Sequence, residues 1–365
     1  MQGRSGVGSG PSGATSEGTG AGTGSASLAA AGPWRAAVPE HAAPWWLPGG
    51  QAQTIWAALM CRSRDDDTPF AFARERWDTP DGDFIDVDIM SSASGASPAR
   101  WLVVFHGLEG SSRSHYAQAF ASVARGSGLN VALPHFRGCS GEINRAPRAY
   151  HSGDHEEIGW ILARLRERAG APLLAAGVSL GGNALMRWAQ EAGDTASATA
   201  AAVASVCAPL DLTAAGHHIG RGFNRLVYTR MFLHSMKPRA LAKHAQFPGL
   251  FDRDRLLAAR DLYEFDDVFT APLHGFAGVD DYWARGSAKP HLHRVRVPAL
   301  VLNPRNDPFL PASSLPRQAD LRGNGWVTLA QPAHGGHVGF PQGRFPGHVM
   351  AMPGAVVAWL RAAAA

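Results

Sequence analysis

Gly177-Val178-Ser179-Leu180-Gly181 reads as G-x-S-x-G, a setting in which a serine hydroxyl can serve as a nucleophile. With 42 glycines among 365 residues the bare pattern is weak, so its flanks decide. The apolar run Leu173–Ala176 leads in, and a helical pattern from Gly182 to Trp188 leads out. On such a strand-to-helix turn the serine is held in a strained backbone conformation. Small neighbours at Gly177 and Gly181 let strand and helix approach, leaving the Ser179 Oγ exposed at the helix N-terminus. The plainer alternative is a glycine-rich turn with a capping serine.

A serine alone is a poor nucleophile. A base must take its proton and a carboxylate must orient the base, in the chain order serine, acid, histidine. Downstream lie Asn306-Asp307-Pro308-Phe309, after the apolar run Ala299–Leu302, and His334-Gly335-Gly336-His337, after Trp326–Leu329. His337 is the better base because two glycines precede it and allow a tight projecting loop. His334 is its local competitor. Asp307 is the expected acid, with Asp211 as rival because Ala208-Pro209-Leu210-Asp211 also ends a strand pattern. A developing oxyanion needs donors, expected from the backbone N–H groups of Leu180 and of Leu108 in His106-Gly107-Leu108-Glu109-Gly110. The His106 ring itself is expected to be structural.

These residues need a frame. From Arg100 onward short apolar runs recur: Trp101–Phe105, Leu129–Leu133, Pro172–Ala176, Ala201–Cys207, Ala299–Leu302 and Trp326–Leu329. They mostly lack alternation, as strands buried on both faces do. Helical patterns lie between or after them, at about Tyr116–Ala124, Glu156–Arg168, Asn183–Glu191 and Gly354–Ala363. The alternation predicts an α/β fold with a mostly parallel central sheet flanked by helices. Residues 211–290 break the rhythm and are too long for a plain loop. Helical patterns near Phe223–Met236 and Arg253–Tyr263 predict a helical cap insertion, whose Phe223, Tyr228, Phe232, Tyr282 and Trp283 could line an acyl pocket. Residues 1–32 are almost devoid of large apolar side chains and read as a disordered Gly/Ser/Ala-rich tail, with order beginning near Pro33–Trp34 and a domain over 33–365.

Composition narrows the classes. Hydrophobic residues make up 45% and charged residues 18%, which excludes a wholly disordered chain. There is no run of 18 apolar residues and no secretory layout at the N-terminus, so no integral membrane segment is expected. The cysteines Cys61, Cys139 and Cys207 are sparse and far apart, which fits a cytoplasmic setting. The net charge of +4 rests on scattered arginines interleaved with acids, so no nucleic-acid partner is expected. Sixteen histidines invite a metal reading, as in His217-His218, His291-x-His293 or His334-x-x-His337. None has the His-Glu-x-x-His spacing, so neither a metal nor another cofactor is expected.

Several segments resemble one family within the α/β-hydrolases, the YheT-like hydrolases, which are related to mammalian membrane-anchored abhydrolase-domain proteins. They are Pro44-Trp45-Trp46-Leu47-Pro48-Gly49-Gly50 with Gln53-Thr54-Ile55-Trp56, then Asp81-Gly82-Asp83-Phe84, His106–Ser112 and His135–Glu142. Tyr150–Gly153, Gly177–Gly182, Phe265-Asp266-Asp267, Thr270–Phe276, Asp307-Pro308-Phe309 and Gly336–Phe340 follow in consistent order. The resemblance spans about residues 40–345. It implies a serine, aspartate, histidine triad at Ser179, Asp307 and His337, and carboxylester or acylglycerol hydrolysis. Two departures are Asn306, where a second aspartate is usual, and Gln51-Ala52, where a His-Leu pair is common. No counterpart of the mammalian relatives' membrane segment is expected here. The expected activity is hydrolysis of a small-molecule ester or lipid-like substrate with a short or medium acyl chain. An amidase, thioesterase or acyltransferase with the same triad, or a non-catalytic binding protein, are the alternatives.

Overall fold

Eight strands form one sheet in the computed structural model, which describes residues 38–61, 70–92 and 99–365. The expected tail 1–32 and the expected onset of order near Pro33–Trp34 lie outside the described residues. The strands are β1 (Ala73–Asp78), β2 (Phe84–Met90), β3 (Trp101–Phe105), β4 (Asn130–Pro134), β5 (Leu173–Val178), β6 (Ala200–Val206), β7 (Ala299–Leu302) and β8 (Val327–Ala330). Their spatial order is β1-β2-β4-β3-β5-β6-β7-β8. The pairs β1–β2 and β2–β4 are antiparallel, and every other pair is parallel. This is the expected α/β architecture, with β3, β5 and β6 in the middle where the site must lie.

The α-helices of eight residues or more are α1 (Gly49–Leu59), α2 (His115–Gly126), α3 (His155–Ala169), α4 (Leu180–Ala192), α5 (Leu212–Ile219), α6 (Arg230–Gln246), α7 (Val279–Gly286) and α8 (Ala351–Ala363). Alternation along β3 sends Val103 and Phe105 into one core with Ile158, Leu162 and Leu185 of α3 and α4. Leu102 and Val104 enter the other, with Phe120 of α2 and Val356 and Leu360 of α8. α3 shows why the sequence signals worked. Asp154 caps its first turn by accepting from the Glu157 N–H (3.3 Å), and Gly170 closes it at φ 67°.

Periodicity missed α1, β1 and β2. The run Phe84–Met90 alternates apolar residues with Asp86 and Asp88, which reads as a half-exposed edge, yet every position is buried. Burial of these acids is possible because β1 supplies their partners. Arg74 Nε meets Asp88 Oδ1 at 2.7 Å and Arg76 Nε meets Asp86 Oδ1 at 2.8 Å. α5, α6 and α7 lie between β6 and β7, within the stretch expected as an insertion, and no described helix is long and apolar enough to cross a membrane.

Four histidines are withdrawn from solvent, His106 completely and His115, His151 and His274 in large part. Burial, the largest cause in each, lowers His106 and His274 to about 3, and His115 and His151 to about 4, from an ordinary 6.5. The unfolded chain takes up protons near 6.5 while the folded one does not. Their stabilising effect is therefore complete above that value and is lost as pH falls toward the folded values. The urea midpoint followed by tryptophan fluorescence should drop between about pH 6.5 and about pH 4. A midpoint that stays level across that window would contradict the neutral, buried state of these rings.

Candidate active site

Ser179 sits between β5 and α4 at φ 52° and ψ −120°, a conformation unfavourable for a residue with a side chain. The turn is held by contact of backbones. A Cβ on Gly177 would stand 2.3 Å from the Gly181 carbonyl oxygen, and one on Gly181 would stand 2.5 Å from that of His106. The two glycines are thus required by close approach rather than by φ.

Loops after β7 and β8 bring the partners. His337 Nε2 lies 3.1 Å from Ser179 Oγ, and His337 Nδ1 lies 2.9 Å from Asp307 Oδ2. Asp307 is buried and its Oδ1 also accepts from the Phe309 N–H (2.8 Å). The Phe309 ring stacks on the imidazole with centroids 3.9 Å apart, which fixes the ring plane. The rivals lie elsewhere in role. His334 is exposed, and Asp211 caps α5 by accepting from the Ala214 N–H (3.0 Å). The His106 ring accepts from the Phe136 N–H through Nε2 (3.0 Å) and bonds the Gly107 carbonyl through Nδ1 (2.7 Å), a neutral structural arrangement.

The loop after β3 lies directly on the serine, since a Cβ on Gly107 would stand 3.1 Å from Ser179 Cβ. Its neighbouring amides are used internally. Gly107 N–H donates to Tyr116 Oη (2.9 Å), Glu109 N–H to Tyr150 Oη (3.1 Å) and Gly110 N–H to the Gly107 carbonyl (2.9 Å). The Leu108 N–H, and that of Leu180 at the head of α4, have no such acceptor among the described residues, and both residues line the cleft above Ser179. Glu109, at φ 58°, is tied down by Tyr150 Oη (2.8 Å) and by Arg239 Nη1 from α6 (2.9 Å).

The cleft measures about 1170 Å³ including its open mouth, and its walls are mostly apolar. Of the five aromatic residues expected to line it, Phe232, Tyr282 and Trp283 do. Phe223 instead lies exposed, in the short helix Gly222–Asn224. Tyr228 packs on Phe309 and donates its hydroxyl to Gln51 Oε1 (2.6 Å). Sequence reading gave no role to Phe309, Tyr116, Tyr150 or Arg239, whose contacts join distant segments. It also missed Cys207, whose thiol is pushed well above its ordinary range by burial and then by the Asp307 charge. Cys207, Asp307 and His337 form the described three-ligand grouping, with ligand atoms within 4.8 Å of one another.

No protein-family model matches the chain. The protein YheT of Escherichia coli (strain K12), which carries an esterase name, is 39% identical over 289 residues, covering 78% of this chain and 84% of that one. The chain belongs to the YheT-like α/β-hydrolase family. Membership makes the protein a hydrolase. Human Phospholipase ABHD3 is 28% identical over 308 residues, covering 82% of this chain and 73% of its own. Among solved structures, DcsB in complex with its substrate analogue superposes with a TM-score of 0.51 at 13% identity. That match covers 80% of this chain and 98% of the other, a likeness of fold.

If the backbone contact at the turn is what holds Ser179, Gly181→Ala should cost at least about 1–3 kcal/mol in urea unfolding. It should also abolish labelling by a fluorophosphonate. Gly354→Ala in α8, where a Cβ meets nothing within 4 Å, should be neutral or mildly stabilising. Equal stability of the two variants would exclude a contact-limited turn.

Proposed function

We propose that the protein cleaves carboxylic esters of short or medium acyl chain through an acyl-enzyme on Ser179. The observation that carries this reading is the unbroken run from Ser179 Oγ through the His337 ring to Asp307 beneath an apolar cleft. His337 Nε2 takes the serine proton as Oγ attacks the ester carbonyl. The oxyanion then lies against the Leu108 and Leu180 N–H groups. Collapse expels the alcohol with the proton held on Nε2, and a water activated by the same nitrogen releases the acid. Asp307 keeps Nδ1 protonated and stabilises the imidazolium. Relatives with esterase and phospholipase names support an ester bond as the target.

With a short p-nitrophenyl ester, Ser179→Ala should abolish burst and turnover, and His337→Ala should be nearly as severe. Asp307→Asn should lose up to about 10⁴ in turnover while remaining folded by circular dichroism. Asp211→Asn should be mild, because its carboxylate caps a helix. Wild-type turnover by Ser179→Ala would end this reading. A crippled Asp211→Asn beside an active Asp307→Asn would move the acid.

Residues 211–290 are proposed to act as the cap that sets acyl length. Phe232 and Met236 of α6 are half-buried and face the cleft, so neither is a main support of the fold. Phe232→Ala and Met236→Ala should raise kcat/KM for longer p-nitrophenyl esters relative to shorter ones. A uniform fall across chain lengths would speak against a cap that measures the chain.

A further inference from the structure

The loop that carries His337 has no strand or helix to shape it. Gly335 and Gly336 take φ of 156° and 59°, and the β-branched Val338 takes 61°. Buried amides in such a stretch need acceptors from elsewhere. Four successive ones find side chains. Gly335 N–H donates to Gln53 Oε1 (3.0 Å), Gly336 N–H to Asn306 Oδ1 (3.0 Å), His337 N–H to Thr54 Oγ1 (2.7 Å) and Val338 N–H to Cys207 Sγ (3.3 Å).

Two of the four acceptors come from α1, which precedes the sheet in sequence. Gln53 reaches the acid loop as well, because Asn306 Nδ2 donates to the same Oε1 (3.0 Å). Its Nε2 donates to the Leu47 carbonyl (3.0 Å), so every polar atom of this fully buried side chain is committed. Thr54 Oγ1 donates its own hydrogen bond to the Gly50 carbonyl (2.8 Å). The fit leaves no slack. A Cβ on Gly50 would stand 1.8 Å from the Asn306 carbonyl oxygen, and one on Gly336 would stand 2.9 Å from Gln53 Cβ.

We infer that Gln53 and Thr54 are positioning residues that hold the acid–base pair in register, an inference that rests on the triad reading above. Neither touches the reacting atoms. One oxygen, Gln53 Oε1, joins the backbone two residues before His337 to the side chain just before Asp307, and so sets the separation of the two loops. Thr54 fixes the His337 backbone, and with it the direction from which the ring meets Ser179. Displacements of about 1 Å between catalytic groups cost about 10²-fold in rate.

Thr54→Val keeps the side-chain shape and removes the acceptor, while Thr54→Ser keeps the hydroxyl. With a short p-nitrophenyl ester, Thr54→Val should lower kcat about 10- to 100-fold with little change in KM. It should also shift or broaden the far-downfield proton resonance of the His337–Asp307 hydrogen bond. Thr54→Ser should recover both. Wild-type kcat and resonance in Thr54→Val would overturn the inference, as would a loss shared by Thr54→Ser or one confined to KM. If Thr54→Val does not fold, Thr54→Ala is read by the same criteria. Failure of both to fold would mark Thr54 as structural alone and equally overturn it. Ser179→Ala, assayed alongside, separates the readings. Wild-type turnover there would sink the triad, whereas its loss beside an unimpaired Thr54→Val would sink this inference only.

Discussion

Ser179 occupies a backbone conformation that costs about 1–3 kcal/mol for a residue with a side chain, and such strain persists only where the surroundings over-determine it. They do so here through bare backbone. Its N–H donates to the Val206 carbonyl (2.8 Å), tying the turn to β6. A Cβ on Gly177, Gly181 or Gly182 would clash where β5 meets α4, with Gly182 also pressed on Ser205 and Ala208. The start of the loop after β3 then rests on Gly181. One packed junction therefore fixes three things together: the Oγ, the Leu180 N–H and the height of the Leu108 N–H above them. Main-chain donors placed this way need no reorganisation when charge develops.

His337, the proposed base, is placed by the opposite means. No strand or helix runs through residues 335–340, and the amides of residues 335–338 are held by side chains from α1, from the loop after β7 and from the end of β6. Such a loop is precise only while its distant acceptors stay in place. The Phe309 ring on the imidazole and Asn224 Nδ2 donating to the Pro308 carbonyl (2.6 Å) add hold from the acid side. Through Gln51, whose amide donates to Asn224 Oδ1 (3.0 Å), α1 meets the segment that follows α5 as well. A helix outside the alternating core is thus the hub between both loops and the helices over the cleft.

Much of this was legible in sequence because it depends on local pattern. The six strands from β3 to β8 read as apolar runs, and their ends agree with the observed ones to within one or two residues. The turn at Ser179 read from three glycine and serine positions. The loops of Asp307 and His337 read from their place after strands. What stayed hidden depends on pairing across the chain. Asp86 and Asp88 look like solvent-facing residues until Arg74 and Arg76 of the neighbouring strand are placed beside them. α1 lacks a clear apolar stripe, and Gln53, its most buried polar residue, reads as surface. Gln53 and Thr54 stood within a segment shared with the family, yet no spacing rule links them to a loop some 280 residues later.

The chemistry of the braces follows from the charge they surround. In the proposed triad, Asp307, which is buried, serves His337 through a negative charge in a place of low dielectric. A second anion against it would raise the cost of ionising both. The supports around it are neutral: the Gln53 and Asn306 amides, the Thr54 hydroxyl, and a Cys207 sulfur kept as thiol by burial and by Asp307 itself. Asn306 uses both ends of its amide, donating to Gln53 Oε1 and accepting from the Gly336 N–H. A carboxylate there could accept but not donate, so Gln53 would have to turn its amide and release the Gly335 N–H. With asparagine at 306, the two loops are joined by a fully satisfied neutral network, and the field acting on His337 is left to Asp307.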